Sequence, residues 1–258
     1  MTISISVPTY DREDARTLAH LSDAAYQGGQ NEINAYLQKL GLPPVNAVFT
    51  GSDDTLAFAL ITSKEIVLSF RGTEPRDWKN WRTDFDADHK AWARNPEYGQ
   101  VHDGFQRALN TVMPAITTWL RDNNPANLPV VTCGHSLGGA LAILAAVGLG
   151  DAVTQVYTFG QPRVGDRTFA ASIDARTFAS NYFRFVNDQD IVPHVAPYTL
   201  NYGHGGRQVH FDGSGWSVSP VREESLEDAL KELTMLLGRQ LDGPIEDHFM
   251  EHYLKALG

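Results

Sequence analysis

The stretch GHSLG, residues 134–138, places a serine between glycines inside an otherwise apolar run. An apolar strand pattern (130–133) precedes it, and an apolar helical pattern (137–149) follows it. In that context the G-x-S-x-G pentapeptide forms a sharp turn that lifts a serine out of a sheet, next to backbone N–H groups at a helix N-terminus. The predicted chemistry is nucleophilic catalysis by Ser136. The alternative is a glycine-rich strand-to-helix turn with an inert serine.

A serine hydroxyl is a weak nucleophile without a base, and the base needs a carboxylate to orient it. In this kind of site the chain order is serine, acid, histidine. After a strand pattern at 182–186, the run NDQDIVPHVAP supplies Asp188 and Asp190. Five histidines follow in the chain: His194, His204, His210, His248 and His252. Residue types alone do not choose among these candidates.

The elements that must position these residues follow from hydrophobic periodicity. Helical patterns at 11–27 and 31–40 come first, and strand patterns at 46–51, 56–62 and 66–70 follow. A long helix is predicted over 103–121, interrupted at Pro114. Strands at 130–133, 153–159 and 182–186 alternate with helices at 137–149 and 167–173, which is typical of a parallel sheet. A hairpin at 208–211 and 216–218, a helix from Ser219-Pro220 with leucines on one face, and a closing helix within 245–257 complete one domain, residues 1–258.

Composition narrows the function classes. The formal net charge of −10 argues against nucleic acid and anionic lipid surfaces as electrostatic partners. No apolar run approaches the roughly 20 residues of a membrane span. One cysteine excludes an intramolecular disulfide. The first residues do not resemble a secretory signal, which predicts a cytoplasmic protein by default, or a secreted one if the chain is a processed form. No residue cluster indicates a metal or an organic cofactor.

Several segments in order resemble the class 3 lipases, the family of fungal triacylglycerol lipases and their bacterial and plant relatives. The matching segments are AHLSDAAY, VLSFRGTE, DWKNWRTDF, VHDGFQRA, VTCGHSLGGALA, TFGQPRVGD, RFVNDQDIVPHVAP and DHFMEHYL. The resemblance implies an α/β-hydrolase fold: a central, mostly parallel sheet flanked by helices, with a lid segment after the third strand.

Carried over by position, the resemblance implies Ser136 as the nucleophile, Asp190 as the acid and His248 as the general base. His252 is the rival for the base, because a residue four positions on shares a helix face with His248. The family pattern places the base directly after an aspartate, which favours His248. His135 is expected to support the serine turn rather than to transfer protons.

The segment FRGT resembles the family's oxyanion segment, so Thr73 and Leu137 are expected to donate backbone N–H groups to the oxyanion. Residues 74–100 correspond to the family's lid and are expected to be an exposed excursion. Trp78 and Trp81 would be its apolar anchors, or else core packing. The charged residues around them predict weaker activation at an oil–water interface than the family's lids give.

The implied activity is hydrolysis of carboxylic esters through an acyl-enzyme, without a metal or cofactor. A triacylglycerol lipase acting on ester lipid, at an oil–water interface, is the first hypothesis. A phospholipase A-type enzyme and an esterase of soluble or aromatic esters are alternatives. A catalytically silent hydrolase fold that binds lipid or a partner is the alternative from another class.

Overall fold

The structure, a computed structural model, describes residues 11–73, 89–194, 201–212, 215–219 and 246–258. The helices in these ranges are α1 (Arg12–Ala24), α2 (Gln30–Lys39), α3 (Asp103–Asn123), α4 (Leu137–Leu149), α5 (Arg167–Asp174) and α6 (Met250–Leu257). The strands are β1 (Ala47–Thr50), β2 (Leu56–Ile61), β3 (Ile66–Phe70), β4 (His89–Ala91), β5 (Gln100–His102), β6 (Val130–His135), β7 (Val153–Phe159), β8 (Gly165–Asp166), β9 (Tyr182–Asn187), β10 (Tyr202–Gly203), β11 (Arg207–Asp212) and β12 (Gly215–Ser219).

The main sheet has the strand order β1-β2-β3-β6-β7-β9-β11-β12. Its centre, β3-β6-β7-β9-β11, is parallel, and antiparallel strands lie at both edges. Helices α3, α4 and α5 lie on the crossovers between successive parallel strands, as parallel pairing requires. The mostly parallel sheet and the late hairpin of β11 and β12 are therefore confirmed. The carboxyl ends of the parallel strands meet at one edge, where the serine turn and the loop after β9 lie.

Alternate side chains of the inner strands pack into two apolar cores, one on each face of the sheet. In β2, Ala57 and Ala59 belong to the core that contains α3 and α4. Phe58 and Leu60 belong to the core that contains α1, α2 and α6. Both faces of the central strands are covered, which explains why these strands read as continuous apolar runs rather than as alternating patterns.

A second, antiparallel sheet has the order β10-β8-β5-β4. It takes up part of the segment that the sequence predicted to be an exposed excursion. Trp92, which follows β4, is only 1% exposed and stacks edge-on against Phe169. The rest of 89–100 is exposed or half-buried, so Trp92 anchors a largely exposed stretch to the core. Residues 74–88 of the lid-like segment lie outside the described residues.

Helix α3 runs through Pro114 without interruption. Pro114 lies on the solvent side of the helix, as does Asn110, whose carbonyl loses its helical partner at a proline. Water can bond that carbonyl, so the helix continues. The predicted helix after Ser219 falls almost wholly on residues 220–245, outside the described ranges. None of the helices in the described ranges has the length and apolar character needed to cross a membrane.

Glu65, in the hairpin between β2 and β3, offers a test of this packing. It is 3% exposed, and its Oε1 has no hydrogen-bond partner among the described residues. Burial and the nearby charge of Asp14 raise its pKa from 4.5 to about 7, against the opposing charge of Lys64. The folded protein therefore holds a proton that the unfolded chain has released, so Glu65 costs stability as the pH rises from about 4.5 to about 7.

We expect Glu65→Gln to raise the free energy of unfolding by about 1 to 2 kcal/mol at pH 8 and to change it little at pH 4. Urea unfolding at the two pH values measures this. Glu97→Gln, at an exposed glutamate, is the control. Equal effects of Glu65→Gln at both pH values would contradict the assignment.

Candidate active site

The serine turn is a single residue between β6 and α4. Ser136 has φ 59° and ψ −126°, a backbone conformation that non-glycine residues rarely adopt and that costs on the order of 1 to 3 kcal/mol. Close packing holds it there. A Cβ on Gly134 would lie 2.3 Å from the carbonyl oxygen of Gly138, and a Cβ on Gly138 would lie 2.1 Å from that of Phe70. The two glycines therefore let strand and helix approach closely enough to form the turn.

Ser136 is fully buried, and its backbone N–H donates to the carbonyl of Phe159 in the adjacent strand β7 at 2.8 Å. Its Oγ has no hydrogen-bond partner among the described residues. A buried hydroxyl usually finds a partner, and the exceptions in native structures include catalytic groups. Nucleophile–base hydrogen bonds are often long in the absence of substrate and shorten when it binds.

Asp190 and His248 form a buried, hydrogen-bonded pair beside this turn. Asp190 lies in the loop after β9, and His248 ends a short 3-10 helix, Glu246–His248, that precedes α6. The Nδ1 of His248 lies 2.8 Å and 2.9 Å from the two carboxylate oxygens of Asp190. Their exposed fractions are 1% for Asp190 and 0% for His248. Donation from Nδ1 to the carboxylate leaves Nε2 as the proton acceptor of the ring.

Two further donors hold the Asp190 carboxylate. The hydroxyl of Tyr253 donates to it at 2.5 Å, and the backbone N–H of Val192 donates at 2.9 Å. Burial, followed by the charge of Asp190, raises the pKa of Tyr253 well above its usual range. The phenol therefore keeps its proton and remains a donor. Residue types and spacing did not predict Tyr253, although it lies only five residues after His248.

The other candidates lie elsewhere. Asp188 is exposed, whereas Asp190 is buried. The side chain of His252 is 37% exposed and lies 3.6 Å from Glu251. His204 and His210 each donate Nε2–H to a backbone carbonyl. Of the histidines that follow Ser136 in the chain, the structure places His248 in hydrogen-bond contact with Asp190.

Thr73 and Leu137 line the same cavity, which has a volume of about 250 Å³ and lies at the carboxyl edge of the sheet. Thr73 follows the end of β3, and Leu137 is the first residue of α4, where backbone N–H groups have no helical partner. Strands β3 and β6 are parallel neighbours, so the two residues meet at one edge. Trp78 and Trp81, the predicted lid anchors, lie outside the described ranges. Within those ranges, no group of three or more His, Cys, Asp or Glu side chains is placed to hold a metal ion.

His135 is buried between two hydrogen bonds, one to Tyr26 and one to the backbone carbonyl of His248, each 2.7 Å long. Burial, followed by the nearby His248, lowers the pKa of His135 well below 6.5. Tyr26 is the last residue of the AHLSDAAY segment, but nothing in that segment predicted a role for it, and it is 109 positions from His135 in the chain.

A parallel sheet that presents a strained serine between a strand and a helix, with the acid and the histidine on later loops in that order, is the architecture of the α/β-hydrolases. The sequence model of one family within that class, the class 3 lipases, matches residues 67–200. The match covers more than half of the 258 residues, and the chain belongs to the class 3 lipase family.

Relatives in sequence include plant and fungal lipases. The chain is 33% identical over 197 residues to triacylglycerol lipase OBL1 of Arabidopsis thaliana, covering 57% of this chain and 37% of the relative. It is 36% identical over 168 residues to secreted mono- and diacylglycerol lipase 1 of Fusarium solani, covering 62% and 49%. It is 33% identical over 176 residues to the lipase of Rhizomucor miehei, covering 64% and 47%. The chain thus spans less than half the length of these three relatives.

Solved structures show the same fold. The mono- and diacylglycerol lipase of Aspergillus oryzae superposes with a TM-score of 0.75 at 21% identity, covering 97% of this chain and all of that one. The lipase of Rhizopus microsporus var. chinensis superposes with a TM-score of 0.72 at 24% identity, covering 95% and 88%. At these identities the likeness establishes the α/β-hydrolase fold, as the sequence predicted.

The fit around the Asp190–His248 pair can be tested at Gly160. Gly160 has φ +57°, and a Cβ there would lie 2.6 Å from Cε1 of His248 and 2.8 Å from Oδ2 of Asp190. Gly150 has a similar φ, +63°, with nothing within 4 Å of such a Cβ. Gly150→Ala therefore measures the conformational cost alone, about 1 to 3 kcal/mol.

We expect Gly160→Ala to lower the free energy of unfolding more than Gly150→Ala does, and to remove the low-field proton NMR signal of the His248 Nδ1–H. Chemical denaturation and proton NMR of both variants measure this. Equal destabilisation with the signal retained would show that the pair tolerates a methyl group at that position.

Proposed function

We propose that this protein is a serine carboxylic-ester hydrolase that acts on lipid esters through an acyl-enzyme. The buried Asp190–His248 pair carries the proposal, because it supplies an oriented base next to a strained serine turn. A short path of contacts joins Ser136 to this pair. The Ser136 N–H donates to the carbonyl of Phe159, and Gly160, the residue after Phe159, packs against both His248 and Asp190.

The proposed mechanism starts with His248. Its Nε2 takes the proton of Ser136 Oγ while the oxygen attacks the ester carbonyl, and the charge of Asp190 stabilises the imidazolium that forms. The backbone N–H groups of Thr73 and Leu137 bind the oxyanion of the tetrahedral intermediate. Collapse of the intermediate breaks the bond to the alcohol, which leaves with the proton from His248. Water, deprotonated by His248, then attacks the acyl-enzyme. The bond from the acyl carbon to Ser136 Oγ breaks, the serine regains its proton from His248, and the carboxylic acid is released.

We infer acylglycerols as the substrate class. The relatives above are named as triacylglycerol or as mono- and diacylglycerol lipases, and their family is the one to which this chain belongs. Triacylglycerol is the first substrate to test. The cavity at Thr73 and Leu137 has polar neighbours in Asp53, Asp54 and Arg71, in keeping with the expectation that dispersed esters are accepted besides an oil surface.

Export is a separate proposal. The Fusarium relative is named as a secreted enzyme, which supports the secreted form over the cytoplasmic default. Ester hydrolysis assayed in the medium and in the cytosol of the native cells tests this. Activity confined to the cytosol would contradict the proposal of export.

The nucleophile has a direct test. We expect Ser136→Ala to lower the rate of ester hydrolysis on the order of ten-thousandfold or more, because the covalent step is lost. Initial rates on a short-chain and a long-chain triglyceride, below and above their solubility limits, measure this and also show the dependence on an interface. A wild-type protein that hydrolyses neither ester and is not labelled by a fluorophosphonate would favour the catalytically silent alternative.

The base is tested by two histidines four positions apart. We expect His248→Asn to abolish hydrolysis, because an amide cannot take up the serine proton as a base. His252→Asn should retain the rate within about threefold, because that side chain is 37% exposed and lies beside Glu251. The same triglyceride assay serves both variants. Loss of activity in His252→Asn with activity retained in His248→Asn would reverse the assignment, and equal losses would contradict it.

A further inference from the structure

The short 3-10 helix that carries the base, Glu246–His248, is held at its backbone by two side chains from the main sheet. Asn187, at the end of β9, donates Nδ2–H to the carbonyl of Asp247 at 3.0 Å. His135, at the end of β6, donates Nε2–H to the carbonyl of His248 at 2.7 Å. Both donors come from strand ends at the carboxyl edge of the sheet. The position of the base along this edge is therefore fixed by strands rather than by its own helix.

The second of these bonds requires one form of His135. A carbonyl oxygen only accepts, so Nε2 must carry the proton. Nδ1 is then an acceptor in the neutral ring, and the hydroxyl of Tyr26 donates to it at 2.7 Å. The lowered pKa of His135 keeps the ring neutral, since burial and His248 both oppose a second proton. Tyr26 and the His248 carbonyl thus select the same tautomer from opposite sides of the ring.

Tyr26 also lies against the segment that leads to Thr73. A Cβ on Gly72 would lie 2.2 Å from the Tyr26 hydroxyl oxygen, 2.6 Å from the carbonyl oxygen of His135 and 3.2 Å from the Cβ of Ser136. The hydroxyl therefore lies beside the oxyanion segment while it bonds His135, the residue before Ser136. Tyr26 belongs to a short 3-10 helix, Ala25–Gln27, that follows α1, so it is far in sequence from both Gly72 and His135.

We propose that His135 is a positioning residue that sets the distance between His248 and Ser136, and that Tyr26 holds His135 in the tautomer this requires. The inference rests on the proposed function, since it assigns a role within that reaction. Asp190 orients the ring of His248 through Nδ1, whereas the backbone position of His248 depends on the hydrogen bond from His135. His135 directly precedes Ser136 in the chain, so its hydrogen bond to the His248 carbonyl links the base to the nucleophile through a single side chain.

The proposal predicts a loss confined to the chemical step. A displacement of about 1 Å between reacting groups can cost on the order of a hundredfold in rate. His135→Leu removes the donor and should lower kcat about tenfold to a hundredfold with KM changed less than twofold. His135→Gln keeps an N–H donor near the position of Nε2 and should recover most of that loss. Tyr26→Phe should give an intermediate loss.

The control is Tyr157→Phe, which removes another hydroxyl from a fully buried tyrosine. The Tyr157 hydroxyl has no hydrogen-bond partner among the described residues, so kcat should be unchanged. All variants are assayed on a water-soluble short-chain 4-nitrophenyl ester, which avoids an interface, and their melting temperatures are measured in parallel. Recovery of kcat by His135→Gln at a melting temperature equal to that of His135→Leu would support positioning over general stability.

A second readout does not depend on activity. In resting protein labelled with ¹⁵N at the imidazole nitrogens, His135 should show a neutral, Nε2-protonated ring between pH 5 and 8, with the Nδ1 resonance shifted in Tyr26→Phe. A kcat within threefold of wild type in His135→Leu, equal losses in the Leu and Gln variants, or an Nδ1-protonated His135 would overturn the proposal. A wild type without esterase activity would overturn the proposed function alone. The spectra would still test whether Tyr26 and the His248 carbonyl hold His135 in the Nε2-protonated form.

Discussion

A carboxylate withdrawn from water is costly unless hydrogen bonds replace its hydration. At Asp190 the replacement comes from the imidazole of His248, the hydroxyl of Tyr253 and the backbone N–H of Val192. Two of these donors belong to the last thirteen residues of the chain, and the third belongs to the loop of Asp190 itself. The C-terminal segment must therefore dock on the sheet before the carboxylate is satisfied, which couples completion of the fold to completion of the site.

The docking of that segment has its own packing basis. Met250, Tyr253 and Leu257 of α6 lie in the core that also contains α1, and the Nε of Arg12 donates to the carbonyl of Leu257 at 2.8 Å. The first and last described helices thus close over the same face of the sheet. Tyr26, which follows α1, and His248, which precedes α6, reach His135 from this face. The apolar contacts fix the approach of α6, and the hydrogen bonds then fix the position of His248.

The sequence could predict the elements more readily than the partners. Strand and helix patterns around Ser136 were visible because they are local, although β6 extends two residues beyond its predicted end, to His135. Residue types left Asp188 and Asp190, and five histidines, unresolved, since the choice depends on contacts across 58 residues. The family resemblance named Asp190 and His248, but Tyr26 bonds a ring 109 positions away, Asn187 bonds a backbone carbonyl, and Gly160 acts by close approach. Periodicity carries no signal for such contacts, just as it could not show that Trp92 is buried.

The site also shows why neutral groups surround the Asp190–His248 pair. Burial keeps His135 without a second proton and Tyr253 with its phenolic proton, so each contributes a fixed dipole rather than a charge. One dipole points at the carbonyl of His248 and the other at the carboxylate of Asp190. A second cation beside His248 would oppose formation of the imidazolium, whereas a fixed donor needs no reorganisation when charge develops. The buried, low-polarity surroundings of His135 and Tyr253 therefore have two effects on the proposed reaction. They keep these two groups neutral, and they strengthen the hydrogen bonds that the groups make.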